Sequence, residues 1–409
     1  MKHKLNVSVF IIALFGIGLM NLFSPKSTTV SEMEKRELAA LPQFSINELF
    51  HNNFTIQFDN YFADHFMLRN QLLEVSSSFK ELKGFESTDN VQIINRTGGN
   101  NTGGNSENGS TASGYLVLGD RSMMLYHFRN AAADNYGKAL NRFQTSISPQ
   151  VNVYSLIVPP AIEFVEDDSY RELSSSAKSG IEYTYGQYNP AIIPVDAYRA
   201  IADHSDEYVY FRSDNHWTAL GAYYAYTAFM DTIIEPAVPL EDYKSGVISQ
   251  YLGTSYTSTL AKSVRENPDD VTYYKPATPY SYTYYQKNGK AVERRAVVDP
   301  EFAAKGNGAY AVFLGGDHPW GEITTDVGNG KRIVVIKDSY ANPFIPFLIP
   351  HFEEIYYIDP RSYEGNIVQF VRDKQITDVL FLNSIIVTSY SGIADLLNER
   401  MDAVSSIES

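Results

Sequence analysis

Cysteine is absent from all 409 residues. No disulfide framework, thiolate metal site or cysteine nucleophile is available to this chain. Positive charge is scarce as well: 33 Lys and Arg face 48 Asp and Glu, a formal charge of −15. A surface of that sign does not attract nucleic acid broadly, so no nucleic-acid partner is expected. Long hydrophobic runs are missing, with one exception at the start. Lys2, His3 and Lys4 precede a mostly apolar run over residues 5–23, broken only by Asn6, Ser8 and Asn21. A basic flank followed by about 20 apolar residues has the length of a bilayer core and the order of an export signal. No small-x-small cleavage pattern closes the run, so residues 1–26 are expected to remain as a signal-anchor. The alternative is secretion after cleavage. The basic start puts the N-terminus inside and the rest of the chain outside the cytoplasm.

What remains is ordinary globular composition, 44% hydrophobic and 20% charged, with many aromatics: 30 Tyr and 23 Phe. Flat rings with a polar edge suit sugars, although core filling is the plainer reading. Residues 27–94 carry helical signals at 46–50 and 66–79. Residues 95–114 are almost wholly Asn, Gly, Ser and Thr, and such a stretch buries too little apolar surface to order itself. It reads as a flexible loop or linker ahead of a main domain over 115–409.

In that domain, strand-like and helix-like segments alternate. Strands are expected at 115–118, 151–158, 208–211, 310–314, 332–336, 354–358 and 378–382. Helices are expected at 130–147, 218–233, 343–348, 363–372 and 392–400, whereas 240–309 shows only weak periodicity. Such alternation argues for a parallel sheet covered on both faces, with active groups gathered past the carboxyl ends of its strands.

Three candidate groups sit just past expected strand ends. In Lys337-Asp338-Ser339-Tyr340, a serine on a strand-to-helix turn would expose its hydroxyl near backbone N–H groups able to receive an oxyanion. Ser after Asp is also a common helix cap. In Asp214-Asn215-His216-Trp217, His216 has the chemistry to take a hydroxyl proton near neutral pH, and a carboxylate two residues away can fix its tautomer. Asp-x-His is too common for spacing alone to decide. Gly315-Gly316-Asp317-His318-Pro319 allows close backbone approach, as an oxyanion donor, a substrate wall or simply a tight turn. Trp217 and Tyr340, beside the base and the serine, are candidates for substrate contact.

Several segments in order resemble the DHHW family of bacterial exported proteins, similar in catalytic arrangement to alginate O-acetyltransferases of the SGNH-hydrolase type. They are Glu34-Lys35-Arg36-Glu37-Leu38 with Pro42, Tyr61-Phe62-Ala63-Asp64-His65-Phe66 with Arg69, Tyr210 to Trp217, Gly315 to Pro319, Lys337 to Pro346, and Ile358-Asp359-Pro360-Arg361. The resemblance implies an SGNH-like three-layer α/β domain with a mostly parallel sheet. It also implies Ser339 as nucleophile, His216 as base and Asp214 as its orienter, without cofactor or metal. Two positions depart from the pattern. Asn215 stands where the family name has its first His, and Lys337 where many SGNH serine motifs carry Gly.

The expected activity is serine O-acyl transfer, O-acetyl by resemblance, to a cell-surface or secreted glycan, with an integral membrane acyltransferase as a donor partner. Water as acceptor would make the same site a carbohydrate esterase. A metal-dependent hydrolase using Asp64-His65, Asp214 with His216, and Asp317-His318 matches no standard ligand spacing. A non-catalytic, anchored glycan-binding protein is the reading from a different class, with residues 271–285 as its aromatic surface.

Overall fold

All of Asp378–Ser384 is buried, as is all but the first residue of Asn152–Val158, and Arg332–Lys337 is buried after its half-buried first residue. Apolar runs covered on both sides are what the centre of a parallel sheet requires. In the computed structural model of the chain, these segments are central strands of one eight-stranded sheet. The structure describes residues 30–31, 36–37, 39–42, 53–66, 91–95, 114–303 and 308–403.

The chain divides into two units, Met1–Thr88 with Leu260–Lys262, and Asp89–Thr259 with Ser263–Ser409. In the first, Val30–Ser31 pairs antiparallel with Arg36–Glu37, and a helix spans Asn53–Asp64. The Ala39 N–H donates to the Asp64 carboxylate at 2.8 Å. The expected anchor, the helical signal at 46–50 and nearly all of that at 66–79 lie outside the described residues. Among the described residues, no helix is long and apolar enough to cross a membrane.

The second unit starts with a three-stranded antiparallel sheet of Val91–Asn95, Gly114–Leu118 and Arg121–Met124. Asn95 pairs with Gly114, so the polar stretch between them connects two paired strands of one unit. The large sheet contains, in chain order, β1 (Asn152–Val158), β2 (Ile192–Val195), β3 (Tyr280–Tyr285), β4 (Ala291–Arg294), β5 (Trp320–Thr325), β6 (Arg332–Lys337), β7 (Glu354–Ile358) and β8 (Asp378–Ser384). Its spatial order is β4-β3-β5-β7-β6-β8-β1-β2. From β7 to β2 neighbouring strands are parallel. From β7 through β5 and β3 to β4 they are antiparallel. The sheet is therefore mixed, which corrects the mostly parallel expectation. The antiparallel half is built largely from the Tyr-rich region whose periodicity was too weak to read. Lys244–Tyr251 and Asp269–Lys275 from the same region form a separate antiparallel pair.

Side chains alternate between two cores, as the two-residue period of a strand requires. Leu156, Val335, Leu380 and Tyr357 face α3 (Ala219–Thr232) through Ala222, Tyr226 and Phe229. Ile157, Val334, Phe381 and Tyr356 face the other way, against α1 (Asn130–Ser146), α2 (Ala177–Tyr185), α4 (Ile367–Asp373) and α5 (Ser391–Asp402). Covering both faces makes three layers.

Three local expectations change. Residues 310–314 are not a strand: Ala309–Val312 is a 3₁₀ turn. Leu314 (φ 58°), Gly315 (φ 79°) and Gly316 (φ 102°) then place three successive residues in the left-handed region, which no extended strand tolerates. Residues 208–211 contribute a single bridge, Tyr210 to Trp217, because the chain doubles back between them. The helix expected from 363 begins at Ile367, where the Asn366 side chain caps the Gln369 N–H at 2.8 Å.

Candidate functional site

β6 ends at Lys337, and the next residue turns the chain. One oxygen of the Asp338 carboxylate accepts the Tyr340 N–H at 2.9 Å, and the other accepts the Ser384 N–H of β8 at 2.7 Å. One buried side chain thus caps the 3₁₀ turn Ser339–Ala341 and ties it to the neighbouring strand. Burial pushes the Asp338 carboxyl up from its ordinary value, against the pull of those two N–H bonds and of Arg361. Since Asp338 does the capping, the Ser339 hydroxyl is left to point elsewhere.

It points at His216. Nε2 of His216 lies 2.7 Å from Ser339 Oγ, and Nδ1 lies 2.5 Å from Asp214 Oδ1. A carboxylate at Nδ1 keeps the ring proton there and turns the Nε2 lone pair towards the hydroxyl. The loop carrying the pair is closed at its base by Thr218 N–H to the Val209 carbonyl, 2.9 Å, and by Phe211 N–H to the His216 carbonyl, 3.3 Å. Fully buried Asp269 anchors the approach by accepting the N–H groups of Arg212 (3.0 Å) and Ser213 (2.8 Å).

Asp214 is held from behind. Its Oδ2 accepts the Tyr251 hydroxyl at 2.7 Å, the Thr254 N–H at 2.8 Å and the Thr254 hydroxyl at 3.1 Å, while Oδ1 also accepts the His216 N–H at 2.9 Å. Such a donor set fixes the direction in which the buried carboxylate points. Gly253 makes the approach possible, because a Cβ there would lie 2.2 Å from Asp214 Oδ2.

The Gly315–Pro319 loop arrives at the same end of the sheet, since Trp320 opens β5 opposite Ile358, the last residue of β7. Its Asp317 joins three segments. Oδ1 lies 2.9 Å from Lys337 Nζ and 3.0 Å from Asn342 Nδ2, and Oδ2 lies 3.0 Å from Arg361 Nη2. Arg361 also grips Asp359 through Nε (2.9 Å) and Nη2 (2.6 Å). Burial raises the Asp317 carboxyl, but Lys337 and Arg361 outweigh it and hold the group well below the usual carboxylate range. The Lys337 side chain is fully buried, and Asp317 is its carboxylate partner.

His318 stacks on Tyr284, with ring centroids 3.6 Å apart, and lies 3.2 Å from the Leu314 carbonyl through Nε2. Burial, with Lys337 nearby, pushes its imidazole down from 6.5 to about 4. His351, half-buried with Nε2 2.6 Å from the Tyr226 hydroxyl, is likewise pushed down to about 4, by its partial burial first. Both stay neutral when folded and take up a proton on unfolding. The stability they lend is present above pH 6.5 and is lost as pH falls from 6.5 towards 4. Urea unfolding at pH 7.5 and pH 5 should show the lower midpoint at pH 5, and His318→Phe should reduce the difference.

The DHHW protein family matches residues 86–358, well over half of the chain. The chain belongs to the DHHW family. A solved DHHW family protein from Eubacterium siraeum is 32% identical, over 72% of this chain and 96% of its own, with a TM-score of 0.64. PatB1 of Bacillus cereus, solved alone and with a sulfonyl adduct, is 20% identical over 69% of this chain, with a TM-score of 0.58, and shares the fold. It is covered over 97% of its length in the adduct structure and 98% in the other. Among curated proteins, none matches.

Within this DHHW chain, Asn215 does not supply the base. Its side chain accepts the Thr254 hydroxyl and its carbonyl accepts the Tyr340 hydroxyl. Trp217 is fully buried, donating through Nε1 to the Tyr340 carbonyl at 2.8 Å, and Tyr340 is only 3% exposed. Those two rings lock the His216 loop onto the serine turn. Gly315 and Gly316 form the turn that brings Asp317 in, and their positive φ values require glycine or strain. Among the described residues, no three His, Asp or Glu side chains converge as a metal ion would need. Tyr251, Thr254, Asp269 and Tyr310 escape a reading of the sequence, since no local spacing ties them to residues 214 or 339.

Proposed function

We propose that this DHHW chain is a serine O-acyltransferase working through an acyl-serine intermediate. The observation that carries the reading is the line of contacts from Asp214 to His216 to Ser339, at 2.5 Å and 2.7 Å. Ser339 Oγ attacks the acyl carbonyl while His216 Nε2 takes its proton, and the same proton leaves with the departing group. An acceptor hydroxyl then gives its proton to His216 as it attacks the acyl-serine, and Ser339 recovers a proton as it is released. The Ser339 N–H has no acceptor among the described residues, so it is free to donate to the oxyanion.

The acceptor is a sugar hydroxyl of a cell-surface or secreted glycan, and the acyl group is acetyl. The resemblance to alginate O-acetyltransferases supports both choices. The apolar run at 5–23 supports an extracytoplasmic site anchored at the membrane, with an integral membrane acyltransferase as donor partner. Carbohydrate ester hydrolysis uses the same steps with water as the acceptor.

The test is covalent trapping. A sulfonyl fluoride should modify Ser339 stoichiometrically, read by peptide mass spectrometry, and an activated acetyl ester should leave acetyl on the same residue. An added oligosaccharide should then carry the acetyl away. Release to water alone would assign the chain as an esterase, and label spread over other serines with Ser339 unmodified would end the serine mechanism.

A further inference from the structure

Among the described residues, Tyr310 is the one whose ring lies on the imidazole of His216 while its hydroxyl holds the backbone of Ser339. Its ring is stacked on His216, centroids 4.3 Å apart and planes 19° apart, and its hydroxyl donates to the Ser339 carbonyl at 2.9 Å. Edge contacts with Phe211 and Phe313 fix the tyrosine in turn. The 3₁₀ turn Ala309–Val312 presents it, entered through Gly308 at φ 73°. Burial, with Asp214 and Asp317 nearby, raises the phenol well above its ordinary range, so the hydroxyl stays a neutral donor.

We infer that Tyr310 is a positioning residue for the proposed acyl transfer, a role that rests on the reading of Ser339 and His216 given above. An imidazole can swivel about its bond to Cβ, yet it must face Asp214 with one nitrogen and Ser339 with the other. A parallel ring against its face removes that freedom. The electron-rich face also favours the positive charge that His216 gains when it takes the serine proton. Meanwhile the hydroxyl keeps the turn Ser339–Ala341 at a constant distance from the base. The other polar groups about the imidazole are Asp214 on its own loop and Asp338, Ser339 and Tyr340 on the serine turn. All of these remain when Tyr310 is replaced, so the variants isolate its contribution.

Two substitutions separate the two contacts. Tyr310→Phe keeps the stacked ring and frees the Ser339 carbonyl, and should slow modification of Ser339 by a sulfonyl fluoride about five-fold. Tyr310→Leu loses both contacts and should slow it about a hundred-fold. In proton NMR, the hydrogen-bonded Nδ1–H of His216 should give a slowly exchanging low-field signal in wild type and Tyr310→Phe, and none in Tyr310→Leu. Tyr310→Met serves as a second non-aromatic variant if the leucine does not fold. Equal losses in Phe and Leu, or a non-aromatic variant that keeps the signal and reacts within about two-fold of wild type, overturn the inference. The signal does not depend on turnover. A wild-type Ser339 that stays unmodified while the signal behaves as stated would defeat the acyl-transfer reading and leave the positioning of His216 standing.

Discussion

Replacing Ser339 with Ala is expected to lower acetyl-ester turnover by about a million-fold, and His216→Ala by a similar factor. The double variant should be hardly worse than either single one. In the proposed mechanism the two groups, 2.7 Å apart, pass one proton between them and act as a unit, so removing either removes the function of both. KM should change little, because neither side chain grips the acceptor. Asp214→Asn should also lose turnover heavily. The amide cannot balance an imidazolium, and its NH₂ would face the Tyr251 and Thr254 donors that now converge on Oδ2. Steady-state kinetics on the four variants decide the matter. Losses that multiply in the double variant would mean that the two side chains act separately.

Asp317→Ala should produce the largest loss of stability, about 3 kcal/mol, by leaving the ammonium of Lys337 buried without its carboxylate. The figure sits at the lower end for such a break because the Asp317 side chain is 37% exposed, and water can reach the vacated space. Arg361 suffers less, since Asp359 still binds it. Adding Lys337→Met to Asp317→Ala should restore most of the loss, because two apolar groups need no partner. Both tryptophans of the chain, Trp217 and Trp320, lie in the second unit, so tryptophan fluorescence during urea unfolding reports on the unit that carries the cluster. A double variant as unstable as Asp317→Ala alone would show that packing, not charge, sets the cost.

Lys337 also explains a departure from the SGNH pattern. A lysine stands where many similar motifs have glycine, a residue that permits tight backbone approach. The chain instead sends the side chain away from the turn, over the Tyr357 ring and onto Asp317. The turn is shaped by Asp338, whose capping bonds need no glycine.

Local chemistry made several elements legible. β7 and α1 fall where apolar patterning and turn residues put them, and the α/β class follows from the alternation alone. Other elements were hidden. The Tyr-rich strand β3 and its neighbour β4 lie at an antiparallel edge, where β3 buries only one face, β4 buries none of its residues, and the hydrophobic signal is diluted. The segment at 310–314 is apolar enough for a strand, but Leu314 is left-handed and bonds to Val297 and Tyr282, partners from other parts of the chain.

By itself, the sequence determined the α/β class, membership of the DHHW family, and the placing of Ser339 and of the Asp214–His216 pair beside expected strand ends. These follow from hydrophobic period and from motifs a few residues long. Only the tertiary structure decided that the hydroxyl meets the imidazole across 123 residues of chain. It also decided that Tyr251 and Thr254 stand behind Asp214, and that Asp317 holds a buried lysine. Each of those contacts is set by strand order and loop path, which no local stretch encodes, because hydrogen bonds and ion pairs depend on distance in space and not along the chain.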